Sequence, residues 1–145
     1  METKKIVIAS DHAGYDLKEK IKKYLIENNY EVTDCGTDST ASCDYPVFAN
    51  KLCLAIKDDP EMKGILICGT GIGMSMAANR HEHIRAALCH NEFTARLTRQ
   101  HNNANVLCMG ARTIGEELAF ETMKVFLETD FMEDKHERRI NMFSK

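Results

Sequence analysis

A cysteine that runs straight into alternating glycines, Cys68-Gly69-Thr70-Gly71-Ile72-Gly73, is the most chemically suggestive stretch of this chain. Glycine tolerates positive φ and lets the backbone approach a ligand closely. Successive N–H groups at a helix start make a cradle for negative charge. A thiol beside such amides gains thiolate character and becomes able to take a proton from carbon. The same residue also reads as a core cysteine ending an apolar strand. Thr70 suits a hydrogen bond to a substrate hydroxyl or to the turn itself. The spacing is not a dinucleotide fingerprint, because Met74 stands where the third glycine belongs, and no Gly-Lys-Ser/Thr follows to make a P-loop.

Other stretches carry groups of the same kind. Asp11 and His12 follow the first apolar run, and Asp16 is the better placed residue to cap the next helix, which frees Asp11 for other work. His101 stands with Asn102 and Asn103 just past a helical stretch. Its imidazole suits proton transfer near neutrality, and equally a plain surface histidine. Arg112, Lys135, His136, Arg138 and Arg139 fit either a phosphate site or a solvated basic face. His81-Glu82-His83 does not make a metal site, since nothing nearby completes a set at zinc spacing and the two rings would point differently on a helix. The acidic loops lack the calcium pattern. No metal and no cofactor is expected.

The elements that must position these groups alternate. Apolar, strand-like runs occupy Lys5 to Ala9, Glu31 to Asp34, Gly64 to Cys68, Ile84 to Cys89 and Asn105 to Met109. Helical spacing fills Asp16 to Asn28, Pro46 to Lys57, Met74 to Arg80, Asn91 to Gln100 and Ile114 to Leu127. The polar, basic stretch from Asp134 to Lys145 reads as a further short helix. Alternation of this kind predicts an α/β fold: one Rossmann-like domain over 1–145, with a five-stranded, mainly parallel sheet and helices on both faces. Ligands of such sheets bind beyond the carboxyl ends of the strands. The three places singled out on that ground are Asp11 to Gly14, Cys68 to Gly73, and Arg99 to Asn103 before the fifth strand.

Composition narrows the class. The 145 residues suit one core, with 43% hydrophobic and 28% charged residues. A net charge of −3 supplies no field for nucleic acid. No apolar window is long enough to span a membrane. Lys4 and Lys5 precede an apolar run too short for a signal peptide. The cysteines at 35, 43, 53, 68, 89 and 108 show no CxxC and several sit in apolar runs, which predicts reduced core thiols and a cytoplasmic protein.

Taken in order, Ala9-Ser10-Asp11-His12-Ala13-Gly14, Asp44-Tyr45-Pro46, Gly64 to Gly73, Ala77-Ala78-Asn79, Arg99-Gln100-His101-Asn102 and Asn105-Val106-Leu107 resemble the ribose-5-phosphate isomerase B family, which includes the galactose-6-phosphate isomerase subunits. The resemblance spans nearly the whole chain. It implies an aldose–ketose isomerase working through an enediolate. Cys68 would move the proton between C1 and C2, assisted by Thr70. Gly69, Gly71, Ile72 and Gly73 would hold the oxyanion. His101 would open the furanose ring. Asp11, His12, Tyr45 and Asn102 would line the sugar, and Arg112, Lys135 and Arg139 would hold its phosphate. Lys135 departs from an arginine common among relatives, and Met74 replaces the glutamate base of another branch. The implied substrate is ribose 5-phosphate, with a hexose 6-phosphate (allose or galactose) as the alternative and a non-catalytic sugar-phosphate-binding module behind it. The resemblance also implies shared sites in a homodimer or dimer of dimers, with His101, Asn102 and Arg112 reaching across. Shallow loops on a fold this small support the same expectation, because an enediolate needs shelter from water.

Overall fold

Three near-continuous apolar runs form the middle of the sheet, because strands covered by helices on both faces have no polar side to show. In this computed structural model, which describes residues 4–143, the elements alternate as β1 (Lys4–Ser10), α1 (Tyr15–Glu27), β2 (Tyr30–Asp34), α2 (Tyr45–Ala55), β3 (Lys63–Cys68), α3 (Ile72–Ala78), β4 (Ala86–Leu88), α4 (Glu92–Asn102), β5 (Val106–Gly110), α5 (Glu116–Glu128) and α6 (Asp134–Ile140). Met1 to Thr3, where the leader reading begins, and Ser144 and Lys145 of the basic tail lie outside the described residues. The strand order is β2-β1-β3-β5-β4, and every pairing is parallel. The α/β expectation therefore holds, with the sheet wholly rather than mainly parallel among the described residues.

Side-chain alternation along the central strands divides the core in two. Ile6, Ile8, Ile65, Ile67, Leu107 and Met109 face α1, α4 and α5. Val7, Ala9, Leu66, Cys68, Val106 and Cys108 face α2 and α3. The fourth strand is shorter than its apolar run. It lies at the sheet edge, and the chain before it is held by both a side chain and backbone, with Arg85 N–H donating to Asn105 Oδ1 at 2.7 Å and Arg85 O accepting the Asn105 N–H at 3.0 Å. α6 packs outside, against α4. All six cysteines are free thiols. No helix among the described residues is long and apolar enough to cross a membrane.

One polar lock ties α1 to the end of β2. Lys18, only 1% exposed, sends its Nζ to both oxygens of Asp34 at 2.8 and 2.7 Å and to Glu19 at 3.1 Å. Burial works against ionising Asp34, but bonds from Lys18, Lys22 and the Gly36 N–H prevail and hold its carboxyl below the ordinary range. A carboxyl more acidic folded than unfolded contributes stability that is complete above the unfolded value of about 4 and is lost as pH falls through the folded one. Asp34→Asn should therefore lower stability by about 2–3 kcal/mol at neutral pH, less than the full cost of orphaning a buried charge because Glu19 remains. It should also flatten the acid side of the stability curve. Urea midpoints at fixed protein concentration, taken from pH 3 to 7, check both.

Candidate active site

β1, β3 and β5 lie side by side, so the loops leaving their carboxyl ends converge on one edge of the sheet. At that edge Asp11 N–H donates to Ile67 O at 3.2 Å, Ala111 N–H to Cys68 O at 2.8 Å and Arg112 N–H to Gly69 O at 2.9 Å. These bonds strap the glycine turn from both sides. Gly71 takes φ +80°, and a Cβ there would meet Leu88 Cδ1 at 2.6 Å and Met109 C at 2.9 Å, so only glycine fits. Cys68 is 6% exposed, and its Sγ accepts the Gly71 N–H at 3.1 Å. Thr70 Oγ1 accepts the Ile72 N–H at 3.2 Å, which leaves its own proton to donate outward. The Gly71 and Ile72 amides are therefore already engaged in the turn. The Thr70 and Gly73 N–H groups have no internal acceptor among the described residues and stand ready for an anion.

Around this cradle stand four of the expected side chains. Tyr45 lies over Gly73, whose absent Cβ would fall 2.6 Å from the tyrosine ring. Arg112 crosses Gly69, with Cδ and Nη1 each 3.5 Å from where a Cβ would be. His12 Nδ1 accepts the Cys43 N–H at 3.2 Å, so a neutral His12 carries its proton on Nε2. Asp11, buried, accepts the N–H groups of Ala13 and Gly14 through Oδ1 at 3.0 and 3.1 Å. Two expectations are corrected here. Asp11, not Asp16, caps this turn, because the chain bends so tightly onto β3 that a Cβ on Gly14 would meet Ile67 O at 2.5 Å, and Asp16 already lies inside the first turn of α1. Arg112 lies against its own chain's cradle and does not extend away from it.

His101 and Asn102 are not part of this group. α4 leaves the carboxyl edge after β4 and ends just before β5, so its last residues reach the amino edge. β3 alone advances about 16 Å at ~3.3 Å per residue, which sets the gap between the two edges. The expectation that Arg99 to Asn103 lies with the strand ends is thus corrected within one chain. Arg99 itself is structural: its guanidinium donates to Thr129 O, Asn103 Oδ1 and Ala104 O. The His101 ring instead stacks on His136 of α6, 4.3 Å between centroids and 20° between planes. Lys135 and Arg139 stand exposed on the same helix, and neither pairs with a carboxylate among the described residues. Asn102 also borders a cleft of about 600 Å³ shared with Asn79, Arg85, Thr98 and Ile140, and no cradle residue lines it. One chain therefore carries the expected side chains in two separate groups. One holds a thiol and free amides; the other holds an imidazole, an amide side chain and unpaired cations.

The histidines at 81 and 83 are tied into the fold, to Asn50 Oδ1 at 2.8 Å and to Cys53 O at 2.7 Å. Sequence reasoning missed two residues that touch these groups in specific ways. Cys43 meets His12 through its backbone N–H and also through its Sγ, 3.8 Å from Nδ1, and nothing in the order of residues pairs two positions so far apart. His136 stood in the basic run and was counted only as charge.

Residues 6–143 match the family described as Ribose/Galactose Isomerase. A solved ribose 5-phosphate isomerase from Thermotoga maritima is 52% identical, with a TM-score of 0.95 and 99% of each chain covered. A ribose-5-phosphate isomerase B from Mycoplasma genitalium, solved with ribulose-5-phosphate bound, is 40% identical with a TM-score of 0.93, covering 98% of this chain and 95% of that one. A D-erythrulose-4-phosphate isomerase from Pectobacterium atrosepticum is 46% identical over 127 residues, 87% of this chain and 84% of the relative.

The glycine contacts separate fold from site. Gly71→Ala forces a left-handed residue against β5 backbone and should cost several degrees of melting temperature. Gly73→Ala meets only a tyrosine ring at the end of its side chain, so the melting temperature should stay within about 2 °C while Tyr45 shifts and KM rises. Paired thermal melts and steady-state kinetics of the two variants check this.

Proposed function

The chain belongs to the ribose/galactose isomerase family and is a sugar-phosphate isomerase, and on that premise we propose that it interconverts ribose 5-phosphate and ribulose 5-phosphate in a site built by two copies of itself. The observation that carries this reading is the division of one complementary chemistry between opposite edges of the sheet. Neither half can isomerise a cyclic sugar phosphate alone.

In the proposed reaction the sugar phosphate docks with its charge on the basic side chains, Lys135 and Arg139 of one copy and Arg112 of the other. His101 opens the furanose by moving a proton between the anomeric hydroxyl and the ring oxygen. In the open aldose, the Cys68 thiolate takes the proton from C2, and the carbonyl electrons move to oxygen. The resulting enediolate is held by the free Thr70 and Gly73 amides and the Thr70 hydroxyl, which are preorganised by the strapped turn. The proton on O2 then passes to O1 by way of the Thr70 hydroxyl, the C2 carbonyl forms, and Cys68 returns the carbon proton to C1, giving the ketose. Asp11, His12, Tyr45 and Asn102 line the sugar, with the His12 Nε2–H as a donor. No step calls on a metal or cofactor. Met74 is fully buried and has no acid–base chemistry, so Cys68 is the base that this turn offers.

The pairing of copies has support of its own. Ile72 and Met76 on α3 are 46% and 65% exposed, and Tyr45, Val47 and Leu54 on α2 are exposed as well. α3 carries no charged residue. An uncharged helix beside the cradle, left open to water, suits burial against a second copy with twofold symmetry.

Cys68→Ser should lower kcat by about 10²–10⁴-fold with KM little changed, because serine cannot serve as base unaided. Turnover near that of the parent enzyme would remove Cys68 from the mechanism. Kinetics with ribose 5-phosphate, allose 6-phosphate and erythrulose 4-phosphate on one preparation test the substrate, and a higher kcat/KM for either alternative would reassign it. Subunit sharing is tested by mixing Cys68→Ser with His101→Ala under conditions that exchange subunits. A mixed dimer holds one doubly damaged and one intact site, so random exchange should restore about a quarter of the parent activity. Continued inactivity after proven exchange would place each site within one chain.

A further inference from the structure

α6 is a helix with little to hold it. None of its residues is buried, and its side chains make no hydrogen bond or ion pair among the described residues. Among the described residues, three features place it beside α4. Met132 N–H, just before the helix, donates to Gln100 O at 3.0 Å. Ile140, half-buried, borders the cleft beside Asn102. Between them His136 lies flat on His101. The helix that carries Lys135 and Arg139 is therefore registered on α4 through the ring to which ring opening is assigned. His136 and Arg139 are three residues apart and Lys135 and Arg139 four, so the stack and the two cations occupy adjoining positions on successive turns.

We propose that His136 is a positioning residue that couples the phosphate-holding cations of α6 to the imidazole of His101 by stacking on it. The inference rests on the reading of His101 given above and extends it to a residue with no role in that reading. A histidine that must move a proton between two sugar oxygens needs its ring plane fixed, since a misplacement of about 1 Å costs up to ~10²-fold in rate. Among the described residues His101 makes no hydrogen bond that would fix it, so the stack is what holds the plane.

The charges around the pair agree with that role. Loss of hydration comes first, followed by the positive charges of His101, Lys135 and Arg139; together they hold His136 below the ordinary imidazole range, and Asp134 alone opposes them. Two imidazolium rings about 4 Å apart repel, which disfavours charging both rings at once. A neutral His136 then offers its face to an imidazolium each time His101 takes a proton, a favourable cation–π arrangement. On this account the ring of His136 matters and its own proton does not.

The test compares His136→Ala, His136→Phe and His101→Ala, because phenylalanine keeps a flat face and cannot titrate. In the free protein, amide hydrogen exchange of α6 should quicken in both alanine variants and return to the parent rate in His136→Phe. With ribose 5-phosphate, His136→Ala should raise KM and lower kcat by about 10- to 100-fold. With erythrose 4-phosphate, too short to close a furanose, the same variant should lose in KM but keep kcat within about threefold. His136→Phe should restore both constants and leave the pH profile of kcat/KM in place. Parent-like kinetics in His136→Ala, or His136→Phe as impaired as His136→Ala, would overturn the proposal. Full turnover of ribose 5-phosphate by His101→Ala would instead defeat the ring-opening role of His101, while the exchange data would still report whether the stack holds α6.

Discussion

A helix that joins two parallel strands must carry the chain from the carboxyl edge of the sheet back to the amino edge before the next strand can begin. That constraint decides where every reactive group of this protein stands. Cys68, which ends a strand, and Asp11 and Arg112, which follow one, collect at one edge. Residues that end a helix, His101 and Asn102, are delivered to the other. The order β2-β1-β3-β5-β4 sharpens the first group by making β1, β3 and β5 neighbours, so that loops distant in sequence meet at the point where the chain's winding reverses. No side chain spans the length of a strand. A chemistry divided between the two edges must be completed by another molecule, and in the assembly we propose that molecule is a second copy.

The thiol at the centre of the cradle differs from its buried neighbours in how its sulfur is bonded. Burial drives Cys53 up to about 12 and Cys89 to about 11, and Cys108 also rises well above the usual thiol value. Those three remain thiols and pack as small apolar groups. Cys53 donates its proton towards Ala78 O at 4.0 Å, as a thiol does. Cys68 shares a core with Cys53 and Cys108, but its sulfur accepts an amide N–H. The difference comes from its place at the end of the strand. One residue earlier the sulfur would face a closed ladder; at position 68 the chain has begun the turn whose amides point back at it.

Much of this was legible in the residues. Periodicity located every strand and the first five helices to within a few positions, because the central runs are apolar throughout and those helices carry clear stripes. The glycine turn announced itself, since Gly69, Gly71 and Gly73 are hard to explain otherwise. Other features were not local in that sense. Asp16 does not cap α1, whose N-cap position is Gly14; the close approach of Gly14 to Ile67 tightens the turn before the helix and presents two amides to Asp11 instead. The contact of Cys43 with His12, by backbone amide and by thiol, joins residues 31 apart, and local spacing does not encode such a pairing. His136 looked like part of a charge run because nothing in a linear sequence says which ring it will meet. The separation of His101 from Cys68 was recoverable: alternation places any helix C-terminus at the amino edge, and that step follows from topology alone.

Water exclusion follows from the same geometry. On a single chain the cradle lies open, and the amides of Thr70 and Gly73 would spend their dipoles on solvent. An enediolate forming there would be stabilised little better than in water, since donors that must first release water and reorient lose most of their advantage. Beside the cradle, Ile72 and Met76 expose apolar surface that contributes nothing to their own chain. Docking the amino edge of a second copy over this face removes both defects together. In the proposed dimer, apolar burial would supply the drive for association, association would supply the imidazole and cations, and the accompanying desolvation would strengthen the fixed amides. The surface that holds the proposed dimer together would then be continuous with the surface that shelters the reaction. Loosening the first would weaken the second even with every reactive group unchanged.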